Sequence, residues 1–169
     1  MFNGELVEDV ERMNKEYPSL YITPAAYGSS LVLAAFTDGR AMLAEARRME
    51  GDAEFHWLME ERGLGCLPEG DPAPTVLEVN DLPDLKGEIL RVPPQTSIKD
   101  LATKPRRGFL NWDNAIRSVD VCAYPYTLCD GKNFAGNTYF INFRCSFTLG
   151  PFGLITSSII NWGTNPPTF

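Results

Sequence analysis

Between residues 138 and 149 the chain reads TYFINFRCSFTL, and its apolar side chains fall on every second position. Tyr139, Ile141, Phe143, Cys145, Phe147 and Leu149 share one parity; Thr138, Asn142, Arg144, Ser146 and Thr148 share the other, with Phe140 the exception. A period of two over that length belongs to an extended strand with one buried face, because a helix would scatter these residues around its axis. Such a strand needs neighbours along its edges and a layer against its apolar face. GNT and GPFG supply turns on either side. SVDVCAYPYTL and LITSSIINW read as further β-segments, Pro125 marking an edge position or a bulge in the first. The expectation is a C-terminal three-stranded antiparallel β-meander.

The first third follows another period. Asn3 can cap a helix in which Leu6, Val7, Val10 and Met13 form an apolar stripe, and Tyr17-Pro18 stops it. Leu20–Thr23 and Leu31–Phe36 read as two short strands joined by a loop, PAAYGSS. Thr37 or Asp38 can cap a second helix, GRAMLAEARRME. Gly51 interrupts it, Asp52 recaps, and AEFHWLMEER runs on to a glycine C-cap at Gly63. CLPEGDPAPT is a proline-rich connector. Beyond it, TVLEV and GEILRV resemble two strands, and PPQTSIKDLATKPRRG reads as irregular with one helical turn. These elements predict an α+β fold: N-terminal helices packed on a mainly antiparallel sheet, with the C-terminal meander. A chain of 169 residues fits one domain. The candidate internal boundary lies near residues 66–74, between a helix-rich part (1–65) and a β-rich part (75–169).

Charge is distributed unevenly along this chain. Residues 1–64 carry 12 acidic and 6 basic side chains, residues 65–110 carry 7 and 6, and residues 111–169 carry 3 and 3. A net charge of -7 weighs against nonspecific attraction to nucleic acid or an anionic membrane over the whole surface. MFNGELVEDVERM has neither the basic region nor the apolar run of a secretory signal, and no apolar stretch is long enough to span a bilayer. The expected setting is cytoplasmic, or assembled in a virion, with no membrane partner. Four scattered cysteines without a CxxC then default to reduced thiols, Cys122 and Cys129 being the two that could pair in an oxidising setting.

No catalytic constellation emerges. His56 is the single histidine, and His56-x-x-x-Glu60 puts both residues on one helix face. That spacing can hold a metal, but a second histidine or a cysteine pair is missing, so the expectation is no metal and no cofactor. Nucleophilic catalysis by a cysteine or serine would also have to recruit His56, and no GxSxG, GxxxxGK[ST] or GxGxxG occurs. The acidic residues alternate with arginine, as in LAEARRME, the pattern of a solvated helix face. KPRRGFLNW is the one basic patch with aromatics. There Lys104, Arg106 and Arg107 could meet phosphates, with Phe109 or Trp112 stacking on bases, or could dock on an acidic surface of another subunit.

The tail is the anomaly. From Cys145 to Phe169 no side chain is charged, yet Gly150-Pro151, Gly153 and GTNPP break any membrane span. LITSSIINW is apolar on both faces: Leu154, Ile160 and Trp162 on one, Ile155 and Ile159 on the other. Such a strand needs a layer on each side, from its own chain or from a partner. The sequence therefore points to a non-enzymatic structural or assembly protein, of which a small phage or viral virion component (a head–tail or tail subunit) is an example. Its expected protein interface comprises Phe152, Leu154, Ile155, Ile159, Ile160, Trp162 and Phe169. Two alternatives compete. One is a cytosolic inhibitor or immunity-type protein covering a partner enzyme with acidic helices that carry Glu45, Glu50, Glu54, Glu60 and Glu61. The other is an enzyme built from dispersed carboxylates and His56.

Overall fold

The computed structural model describes residues 1–2, 16–17, 19–61, 65–66, 72–120, 122–142, 144–149 and 155–165. The expected first helix and the GPFG turn fall almost wholly outside them. The protein is a mixed α+β structure with two helices and two mostly antiparallel sheets among the described residues.

Strand β1 (Tyr21–Tyr27) turns at Gly28-Ser29 into β2 (Ser30–Phe36), pairing Tyr27 with Ser30. A two-residue hairpin needs a positive φ at its first turn residue, and Gly28 supplies φ +54. PAAY, expected as loop, is therefore strand. Pro24 is tolerated because the parallel pairing of β1 with its other neighbour ends at Ile22. Helix α1 (Gly39–Glu50) starts at Asp38, whose carboxylate accepts the Arg40 N–H at 2.9 Å. Its last turn carries Arg47 and Arg48, which complement the helix dipole. Helix α2 (Ala53–Glu61) is capped by Asp52, which accepts the N–H groups of Glu54 and Phe55.

Next come β3 (Gly65–Cys66), β4 (Leu77–Asn80) and β5 (Ile89–Val92), then β6 (Thr96–Ile98) and a 3-10 turn at Leu101–Thr103. The remaining strands are β7 (Ser118–Val119), β8 (Tyr126–Cys129), β9 (Thr138–Ile141), β10 (Cys145–Thr148) and β11 (Ser158–Asn161). The six-stranded sheet runs β2-β1-β9-β8-β11-β6, and the five-stranded sheet runs β3-β10-β7-β4-β5. The β6 strand falls in the stretch expected to be irregular.

The C-terminal meander is corrected by this topology. TYFINFRCSFTL is two strands in two sheets, β9 and β10, and β11 pairs with β8 and β6 instead of with that segment. The alternation looks unbroken because both sheets turn an inner face to one shared core. Tyr139 and Ile141 from β9 and Leu149 beyond β10 join Leu77, Val79 and Val92 from β4 and β5 in it. Phe140, the exception to the alternation, is buried on the opposite face of its sheet beside Met42 and Ala46 of α1. Further along that face, Phe55 and Met59 of α2 pack on Ala25 of β1 and Ala34 of β2.

Candidate functional site

The strand β11 shows what covers an apolar segment on both sides. Ile159 is fully buried in the core between the sheets. Ile160 points to the other face, where register aligns it with Thr127 of β8 and, one strand further, Phe140 of β9. A second row aligns Ser158, Cys129 and Thr138. Helix α1 covers the Phe140 end of these rows, and the β11 end is left to a cleft of about 430 Å³. Its walls include Tyr21, Phe134, Ile160 and Trp162, and its floor Thr127, Cys129 and Thr138.

Local bonding holds this cleft rigid. Trp162 leans across the sheet and donates its indole N–H to Thr127 Oγ1 at 2.8 Å. The wall formed by residues 134–136 is fixed from below, since Ser158 Oγ donates to the Gly131 carbonyl at 2.6 Å and accepts the Phe134 N–H at 3.2 Å. Asp130 accepts from both the backbone and the side chain of Asn137, whose own carbonyl oxygen takes the Leu20 N–H. Gly136, at φ +80, lies so close to the Asp130 carboxylate that a Cβ would overlap it.

The described lining residues carry hydroxyls, aromatic rings and one thiol, with no carboxylate, imidazole or ammonium group among them. Burial pushes the Cys129 thiol up to about 11, partly offset by its contact with the Thr138 hydroxyl. It is thus a neutral thiol at physiological pH, far from the thiolate that nucleophilic chemistry requires. What this surface can do chemically is exchange neutral hydrogen bonds and apolar contact with an uncharged group.

The residues expected to form a protein interface are dispersed. Ile160 and Trp162 line the cleft, Ile155 is 45% exposed, and Ile159 belongs to the core. Phe152, Leu154 and Phe169 lie outside the described residues. His56 uses its Nε2–H to cap the Glu50 carbonyl at 2.9 Å, a helix-end role. Among the described residues no group of three metal-ligating side chains occurs. Cys122 and Cys129 are both free and buried, so the pairing considered for them is not made.

In the basic patch, Arg106 pairs with Asp81 at 3.0 Å and lies over the ring of buried Trp112, 6.0 Å from its centroid. Its charge is spent inside the protein, and Trp112 cannot stack on a base. Lys104 and Arg107 remain exposed, beside a fully exposed Phe109. The cleft itself was beyond sequence reasoning, because its lining comes from four separate stretches, 19–21, 127–129, 134–138 and 160–162. The two-sided apolarity of LITSSIINW was the only signal pointing toward it.

No family model matches this chain, and no curated protein does. Fifteen chains of solved structures match. One is a βγ-crystallin from Ciona intestinalis, at 18% identity and a TM-score of 0.41, covering 51% of this chain and 98% of that one. Another is the N-terminal domain of protein S, at 26% identity and a TM-score of 0.41, covering 50% and 92%. A third is the fifth crystallin domain of the non-lens protein Absent in melanoma 1, at 18% identity and a TM-score of 0.38, covering 57% and 98%. Among the described residues no helix is long and apolar enough to cross a membrane.

Proposed function

We propose that this protein is a non-catalytic assembly protein that receives a neutral, partly apolar segment of a protein partner on the outer face of β11. The observation that carries this reading is the cleft beside Ile160 and Trp162, which helix α1 leaves uncovered among the described residues. At about 430 Å³ it falls in the range of ligand-sized clefts. That is room for one or two bulky side chains of a partner. The absence of charge from its described lining residues favours an uncharged occupant, since a buried charge would find no counter-ion among them.

Ala135 sits exposed on the rim. Ala135→Trp would fill the cleft without entering the core, whereas Ala135→Ser would leave it open. A photo-reactive side chain at a neighbouring rim position, Ser19, should crosslink the partner in material from the native source. The expected result is crosslinking in the wild type and in Ala135→Ser, and its loss in Ala135→Trp. Equal crosslinking in all three would overturn the reading.

A further inference from the structure

A second surface, which shares no residue with the cleft, pairs charge with exposed apolar side chains. Residues 105–111 form a small hairpin closed by the Pro105–Asn111 bridge, by Arg106 N–H to the Leu110 carbonyl (2.9 Å) and by Trp112 N–H to the Lys104 carbonyl (3.2 Å). Its base is anchored by the Arg106–Asp81 ion pair, and Glu88 accepts the Arg107 N–H at 2.7 Å. Gly108, at φ +73 with open space around it, turns the tip outward. Phe109 there is fully exposed and Leu110 is 59% exposed, flanked by the exposed cations Lys104 and Arg107. Internal bonds hold the loop, so these four side chains are displayed with their backbone already ordered. Phe109, wholly in solvent, adds nothing to the core.

The complementary surface is on helix α2. Trp57 is 54% exposed, and Glu54 and Glu61, three residues before it and four after, share its helix face and are exposed. One surface is basic and apolar, the other acidic and apolar. Helix α2 packs on β1 and β2 of the six-stranded sheet, whereas the tip is bonded to Asp81 and Glu88, at the two ends of the β4–β5 loop of the five-stranded one. Within one chain the two surfaces therefore belong to different sheets.

We infer that the tip of one copy docks on the α2 face of a second copy, Phe109 and Leu110 against Trp57, Lys104 and Arg107 against Glu54 and Glu61. A cation over an indole face adds to such a contact. Because the two surfaces differ, the contact is heterologous and repeats head to tail, producing rings or open chains rather than a closed two-fold dimer. This inference names the partner as the chain itself, and it stands independently of the cleft.

Sedimentation velocity over a concentration series tests it, at roughly 20 mM and roughly 500 mM salt. The wild type should associate, and less so at the higher salt. Lys104→Glu/Arg107→Glu and Glu54→Lys/Glu61→Lys should each weaken association by about tenfold or more. An equimolar mixture of the two variants should recover it, since every contact between unlike copies again joins opposite charges. All four substituted positions are exposed, so folding is not at stake, and far-ultraviolet dichroism verifies that. A wild type that stays monomeric throughout would overturn the inference, as would a mixture that does not recover. Loss of association in Ala135→Trp with both charge variants unaffected would also overturn it, placing the contact at the cleft. Binding of the tip to anionic vesicles or to nucleic acid, with self-association unchanged by its substitution, would likewise sink it.

Discussion

Four buried acids share one electrostatic situation, and its consequence is readable by titration. The Cys129 thiol is raised from 9.0 to about 11 by burial, and the Cys122 thiol and the Tyr126 and Tyr139 hydroxyls are also raised, again chiefly because burial penalises the charged form. A folded-state pKa above the unfolded value means that the neutral form is favoured by folding. The stability tied to that form is complete below the unfolded pKa and is lost as pH rises toward the folded one. Stability should be flat from neutral pH to about 9 and then fall, Cys129 alone accounting for on the order of 2 kcal/mol by pH 11. Urea midpoints at pH 7, 9 and 10.5 measure this, and Cys129→Ala should reduce the alkaline loss. Nothing in DGKN or YTLC marks Cys129 as different from any other cysteine. Its character comes from burial between β9 and β11, which the hydroxyls of Thr138 and Ser158 on those strands only partly offset.

At the scale of elements, local chemistry decided most of what was legible. The second helix and its cap at Asp38 follow from a short acceptor side chain placed before a good helix former. Asp38→Ala removes the acceptor of the Arg40 N–H and should cost about 1 kcal/mol, whereas Asp38→Asn should restore most of it. Thermal denaturation of the three proteins separates these outcomes. TVLEV and GEILRV became the β4–β5 hairpin, with Leu77 opposite Val92. The misreadings have equally physical causes. β6 has three residues, too few for a period, and it is strand because β11 offers an edge at Ile159–Asn161. PAAY is strand because β2 runs beside it, despite its proline.

The whole molecule is joined by a residue that no local pattern flags. Asn161, at the end of β11, is fully buried and donates its amide to the carbonyls of Val92 (2.9 Å) and Thr75 (3.2 Å), and its oxygen accepts the Gly163 N–H. It ties the six-stranded sheet to β5 of the five-stranded one. Asn161→Leu would strip this partner from the Val92 carbonyl and the Gly163 N–H and leave the Thr75 carbonyl only its long contact with the Cys122 thiol (3.7 Å), at roughly 1–3 kcal/mol for each buried group left unpaired. The expected outcome is a loss of about 3 kcal/mol or more. A large fall in melting temperature would accompany it, along with reduced coincidence between near- and far-ultraviolet dichroism. A change of less than half that size would show the sheets to be joined by the shared core alone.

Sequence by itself determined the elements whose signal is local: two capped helices, a β4–β5 hairpin, and an inner face that takes Tyr139, Ile141 and Leu149. Periodicity records which side of a strand is buried, and burial is what selects apolar residues there. It is silent about which neighbour does the burying. The tertiary structure decided that β9 and β10 belong to different sheets, since two sheets facing one core leave the same alternation as a single long strand. It also decided how the apolar tail strand is covered: the Ile159 side by the core, the Ile160 side by Trp162 and an open cleft. The cleft's rows, Phe140–Thr127–Ile160 and Thr138–Cys129–Ser158, join residues as far as 33 and 29 apart in the chain, a proximity that only strand register creates.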